Sequence, residues 1–288
     1  MEDALPALER ILEPLAPPQA MSWLRGVLAR QESGFELRPF YYAFSGATRH
    51  FPKVPVENAV LRLGSVPDFS PRRWTLDQVA RTILLLSLAR QGKDVFLGTY
   101  AALHDTADIR ESVALHAALP LLPHPQDLVP HAREGLRSNI VDVFDAVALH
   151  NPFPAAWFDN AGWNQMILKC LFIRRPLFRV VGVDRRANAA LAQALSDLAH
   201  ERWAANRPVS PELWRSCARF ASPALADDLG RVLALGGPGQ REAVALAVAA
   251  DVPGGPLEAL RDPVADLVAE IAAGRLSWDG LGQSLEGS

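Results

Sequence analysis

The sequence predicts an all-α fold of many short helices packed as antiparallel hairpins. Apolar residues recur at helical spacing, capping signatures precede several of those runs, and the alternating pattern of strands hardly occurs. The 23 prolines sit mostly where helices begin or end, so they divide the chain into short helices.

Thr75 with Gln78 reads as a capping box, two early backbone donors being satisfied by the Thr hydroxyl and the Gln amide. Leu76, Val79, Ile83 and Leu86 follow, flanked by Ala80, Leu84 and Leu88. A helix apolar nearly all round belongs in a core. Asp108 with Glu111 opens another helix in the same way, carrying Ile109, Val113 and Ala117. Ser210-Pro211, Ser222-Pro223 and Asp262-Pro263 read as cap-then-proline starts. Between them, helices are expected over 140–149, 161–173 and 184–203. The turn Asn151-Pro152-Phe153-Pro154 stops the first of these.

Near residue 221 the composition shifts toward Ala, Leu, Gly and Pro. Residues 1–220 are therefore expected to form a main helical domain, with 221–288 as a helical extension packed on it. Helices over 223–235 and 240–250, and a further pair over 257–274, are separated by Gly-Pro breakers. Short amphipathic helices cannot bury their faces alone, so stacking in the manner of HEAT-like repeats is expected at this C-terminal end.

A chain of 288 residues, 49% hydrophobic and 21% charged, can bury a large core. Its net charge of −3, without a Lys/Arg run, gives no footprint for nucleic acid. No apolar run is long enough to insert into a membrane. The acidic opening Met1-Glu2-Asp3 lacks a signal core, so a cytoplasmic location is expected. Cys170 and Cys217 lie in apolar helical contexts and are expected as buried, unbridged thiols.

Candidate site residues come from three helices. Arg137 and Asn151 project from the apolar side of helix 140–149 at its two ends. Asn164 lies on a crowded face of helix 161–173, and Lys169 stands on its narrow polar sector. Asp184, Asn188 and Arg202 fall near the inward stripe of helix 184–203, where the helix dipole favours the carboxylate at the start and the cation at the end. Buried polar groups need partners. Two readings follow: a pocket gripping a small polar or phosphorylated ligand, or an internal network that ties helices together.

Sharper motifs fall away. His104-Asp105 has the His-Asp pairing of helical metal phosphohydrolases, but no decisive set of further ligands stands out, and a capped helix end explains it better. Asp227-Asp228 lacks the spacing that holds Mg²⁺–diphosphate and reads as a solvated pair. His200-Glu201 has no second His for a zinc motif. Neither a phosphate loop nor a nucleophile elbow occurs. Tyr41 and Tyr42 have no basic track beside them and read as core and rim. No cofactor and no metal site is expected.

Five segments carry a resemblance: Thr106 to Leu115, Glu134 to Ile140, Asn151 to Pro154, Trp163 to Lys169, and His200 to Ala205. Together they resemble the EboA family over roughly 35–220. Members of that family are encoded in bacterial and algal clusters beside a UbiA-like membrane prenyltransferase, a dehydroquinate-synthase-like enzyme, a TatD-like hydrolase and a TIM-barrel isomerase-like protein. The resemblance implies a role in making or exporting a secondary metabolite, with links to export of a scytonemin precursor in cyanobacteria. It implies no reaction and no catalytic residue. The leading expectation is an accessory protein that holds a small-molecule intermediate or a pathway enzyme. The alternatives are an enzyme acting on a small, phosphorylated, cyclitol-like substrate through Lys169, Asn164, Asp184 and Arg202, and a HEAT-like adaptor.

Overall fold

The computed structural model describes residues 4–57, 66, 69–71 and 73–287. The acidic opening Met1-Glu2-Asp3 lies outside the described residues. Among those described, an isolated bridge between Pro55 and Thr75 is the only extended pairing, and the rest is helix, turn and loop, as the all-α expectation requires. The chain divides into two compact units, Met1–Phe158 and Asp159–Ser288, and the Ala-rich segment beyond 220 falls inside the second.

The first unit contains α1 (Ala4–Leu12), α2 (Pro18–Ser33), α3 (Leu37–Gly46), α4 (Leu76–Leu88), α5 (Lys93–Thr106), α6 (Ile109–Ala118), α7 (Pro125–Arg137), α8 (Val141–Ala148) and α9 (Phe153–Trp157). Helix α4 is its axis and packs against α1, α2 and α6. Every residue of α4 except Gln78 is buried, which agrees with its apolar girth. Its capping box forms as the sequence indicates, with the Thr75 N–H donating to Gln78 Oε1 at 2.7 Å. The box at α6 is complete too: Asp108 N–H donates to Glu111 Oε2 at 3.0 Å, and Glu111 N–H to Asp108 Oδ1 at 2.8 Å.

One residue of α4 is a cation and yet has no solvent exposure. The Arg81 guanidinium donates to Asp77 Oδ2 at 2.8 Å and to the Phe44 carbonyl at 3.1 Å, and it lies 5.5 Å from the Phe44 ring centroid. Arg110 reaches the other oxygen of Asp77 at 3.1 Å, and Glu111 stands 4.0 Å from Arg81. The α6 cap residue Glu111 thus belongs to the same charge network as the core of α4.

The second unit contains α10 (Asn160–Phe172), α11 (Ala189–Ala204), α12 (Pro223–Leu235), α13 (Gln240–Ala250), α14 (Ala265–Ala272) and α15 (Trp278–Glu286). Helix α13 buries Ala243 through Val248 and packs against α12, α14, α15 and the 3-10 stretch Pro211–Ser216, so it forms the centre of this unit rather than one member of a two-helix row. Helices α12 and α13 have the expected bounds. The segment 257–274 instead breaks into two 3-10 turns before α14, Glu258–Leu260 and Asp262–Val264, with Pro263 inside the second.

Two expectations need correction. The helix expected from Asp184 starts at Ala189, because Asn188 is extended (φ −147) and its side chain caps Leu191 N–H at 3.0 Å. Asp184 therefore lies in the turns before α11, away from the helix dipole's first turn. The Asp227-Asp228 pair is not uniformly solvated. Asp228 is buried and accepts hydrogen bonds from Ser196 and from His200 of α11, the latter at 2.5 Å.

Arg215, itself buried, grips Asp184 through two contacts of 2.7 Å and Asp279 of α15 through a third of 2.7 Å. At Gly282, also in α15, a Cβ would stand 2.5 Å from the Phe178 ring and 2.9 Å from Glu212 Oε1, so only glycine permits this approach. Cys170 and Cys217 are buried and unbridged, as expected.

Two measurements check this account. Arg81→Ala leaves Asp77 buried beside fewer cations and should cost about 3–5 kcal/mol, read as a fall in the denaturation midpoint. Burial, with Asp228 adding, pushes the Cys217 thiol up to about 12. Its thiolate fraction at pH 8 is then about one in ten thousand. Alkylation of the native protein at pH 8 should leave Cys217 unmodified by mass spectrometry, and unfolding should expose it.

Candidate functional site

The chemistry-bearing side chains of the first unit gather where α5, α6, α7 and α8 meet. Helix α5 ends with His104, whose side chain is 9% exposed. One turn earlier on α5, the Tyr100 hydroxyl donates to the Leu115 carbonyl at 3.2 Å and pins α5 to α6. Helix α7 supplies His131 and, one turn on, Glu134. Ring centroids of His104 and His131 lie 4.7 Å apart, those of His104 and His116 5.3 Å, and those of Tyr100 and His131 5.3 Å. Glu134 Oε2 is 3.9 Å from His104 Nδ1.

His116 is the best-anchored of the three imidazoles. Its Nδ1 lies 2.7 Å from the Ser112 carbonyl one turn back, and its Nε2 lies 3.2 Å from the His131 carbonyl. Burial holds its pKa below the ordinary histidine value, helped by His104 and His131 and opposed by the two carbonyls. Burial does the same to His131, with His104 adding and Glu134 and Asp105 opposing. Both rings are thus kept neutral near pH 7.

Gly135 explains how His116 fits. A Cβ at this position would stand 2.5 Å from His116 Nε2, 2.6 Å from its Cδ2 and 2.9 Å from Val147 Cγ2. Helix α7 comes this close to α6 because residue 135 has no side chain. His104, His116, Glu134 and Gly135 border a cleft of about 390 Å³, within the range of small-ligand sites, with His131 behind His104. Ser112, Glu134, Arg137 and Ser138 give it polar walls, and Ile109 and Ile140 line it as well. Both isoleucines are exposed; Ile109 opens α6 and Ile140 is the extended residue just before α8.

The sequence-derived candidates are distributed among several arrangements. Arg137, the exposed last residue of α7, stands on the rim of this cleft. Asn151 lies buried behind it, donating to the His116 carbonyl at 3.1 Å and the Ala146 carbonyl at 2.8 Å and accepting from Phe153 N–H at 2.9 Å. It fastens the Asn-Pro-Phe-Pro turn to the end of α6. In the second unit, Asn164 and Asn188 pair with each other through contacts of 3.2 and 2.9 Å. Asp184 is held by Arg215, and Arg202 Nε donates to the Pro208 carbonyl at 2.7 Å. Lys169 lines a separate groove between α10 and α11 with Phe172, Asp197 and Glu201. Asn188 and Arg202 lie at opposite ends of α11, about 21 Å apart at 1.5 Å per residue, so they do not meet.

The family model described as "Metabolite traffic protein EboA" matches residues 5–218. The chain belongs to the EboA family. The match covers the whole of the cleft, and two of the segments that carry the resemblance, 106–115 and 134–140, face each other across it. All of the lining residues except His104, His116 and Val143 come from those two segments. No curated protein and no solved structure matches the chain.

His116, His131 and Glu134 were not legible as site residues from sequence. The available signals were His131 and Glu134 one turn apart on α7, and a glycine inside a helix, which costs about 1 kcal/mol unless close packing requires it. Gly135→Ala should therefore destabilise the protein by about 1–3 kcal/mol despite the better helix propensity of alanine, because the gap it must enter is occupied. Thermal or urea unfolding checks this, and a stabilised variant would show that α6 and α7 do not approach as described.

Proposed function

We propose that this EboA-family protein is an accessory binding protein of a metabolite pathway, holding a small polar intermediate in the cleft between α5, α6, α7 and α8. One observation carries the reading: two imidazoles, a carboxylate and a rim guanidinium line a cavity of small-ligand size, most of whose other walls come from segments through which the chain resembles its family. Arg137 presents fixed positive charge at the mouth. Hydroxyl groups of Ser112 and Ser138 on the walls suit hydroxyl or carbonyl oxygens. The intermediate is accordingly a small oxygen-rich molecule with a carboxylate or phosphate that meets Arg137. The protein works in the cytoplasm beside the pathway enzymes. No helix among the described residues is long and apolar enough to cross a membrane, so any delivery to a membrane enzyme is by contact rather than by insertion.

The test is mass spectrometry of small molecules retained by the natively purified protein, comparing the wild type with Arg137→Ala. Arg137 is exposed, so the variant should fold normally. Losing one charge-assisted contact should lower retention of the bound molecule about tenfold or more. Equal retention by the two proteins, or a wild type that carries no small molecule, overturns the assignment.

A further inference from the structure

We propose that His104, His131 and Glu134 form a binding site for one divalent transition-metal ion of the zinc class, on the wall of the cleft between α5 and α7. One nitrogen from each histidine and one oxygen from Glu134 lie within 4.8 Å of one another. Ligand atoms bound at 2.0–2.1 Å around a tetrahedral ion are about 3.4 Å apart, so the three donors need only to draw in by roughly an ångström. The Glu134 side chain is 66% exposed and has the freedom to swing. The two helix backbones are already held at this spacing, by Tyr100 on α5 and by the seating of His116 against Gly135 on α7.

Ordinary packing accounts poorly for the same residues. Among the described residues, the rings of His104 and His131 make ring contacts and, for His104, carboxylate contacts of 3.9 and 4.0 Å, but no hydrogen bond. Their ring nitrogens are left open by the protein's own groups, and a metal ion would take them up.

Two nitrogens and a carboxylate oxygen suit borderline ions, Zn²⁺ and Co²⁺ among them, rather than Mg²⁺ or Ca²⁺, which prefer all-oxygen sites. Three protein ligands leave a coordination position open. His104 and Glu134 both line the cleft, so that position faces the space assigned above to the intermediate, whose anionic oxygen would complete the coordination. The metal site goes beyond the metabolite reading and stands on its own geometry.

The test uses the full chain, stripped with a chelator and titrated with Co²⁺ and then Zn²⁺, followed by calorimetry and the visible spectrum of bound Co²⁺. One equivalent should bind, and Zn²⁺ should displace Co²⁺. His104→Gln and Glu134→Gln should each weaken binding at least about tenfold, and His200→Gln in the second unit should leave it unchanged. Glu134→Gln alters an exposed side chain, so it keeps the test valid if the histidine variant misfolds; Zn²⁺ should raise the melting temperature of the wild type and not of this variant. No uptake by the wild type, or uptake that survives both site variants, overturns the proposal. Protein that retains a small molecule but takes up no metal sinks the metal site alone. Protein that binds metal with no retained molecule supports the site and counts against the metabolite reading.

Discussion

A guanidinium with no access to water governs the first unit. Removing Arg81 from solvent costs several kcal/mol, which is recovered only if its charge and its donors are met in place. Asp77 meets the charge from one turn back on the same helix, the Phe44 carbonyl takes a second donor, and the Phe44 ring covers the cation's face. Arg110 and Glu111 then extend the pattern into α6, and Glu111 is at the same time the capping residue of that helix. The start of α6 is thereby fixed against α4. The direction of α6 places Ser112 and His116 where α7 can reach them. Geometry at the cleft is inherited from charge satisfied in the core behind it.

The fold was legible wherever a local rule acts alone. Capping boxes at Thr75 and Asp108, a cap before proline at Ser222, and the apolar girth of α4 are each decided within one helical turn of sequence, and each is found in the structure. Where two local rules compete, the reading was less secure. Asp184 and Asn188 are both capping residues; the extended backbone at Asn188, whose amide also pairs with Asn164, gave it the cap and left Asp184 to Arg215.

The candidate site was harder to read because its groups are non-local. The wheel of helix 140–149 was the basis for singling out Arg137, which instead closes α7, and nothing in the neighbourhood of residue 137 says that residues 104, 116 and 131 stand nearby. That knowledge depends on three helix pairings, and one of them depends on an absent side chain at Gly135. Asp228 shows the same limit in the second unit. A polar residue in polar company looks solvated until an acceptor for Ser196 and His200 is needed from another helix.

Arg215 answers to two carboxylates that belong to different parts of the sequence. It and Asp184 lie within the stretch matched by the family model, which ends at 218, while Asp279 lies 61 residues beyond that limit. The extension is thus a creditor of the family region in electrostatic terms, and the two cannot drift apart freely over evolutionary time. A relative that stops near the end of the matched stretch keeps the two-point grip of Asp184 on its counterpart of Arg215 and leaves the third donor to water. An acidic residue in a C-terminal helix is thus useful only where that arginine is present, whereas the arginine can stand without it.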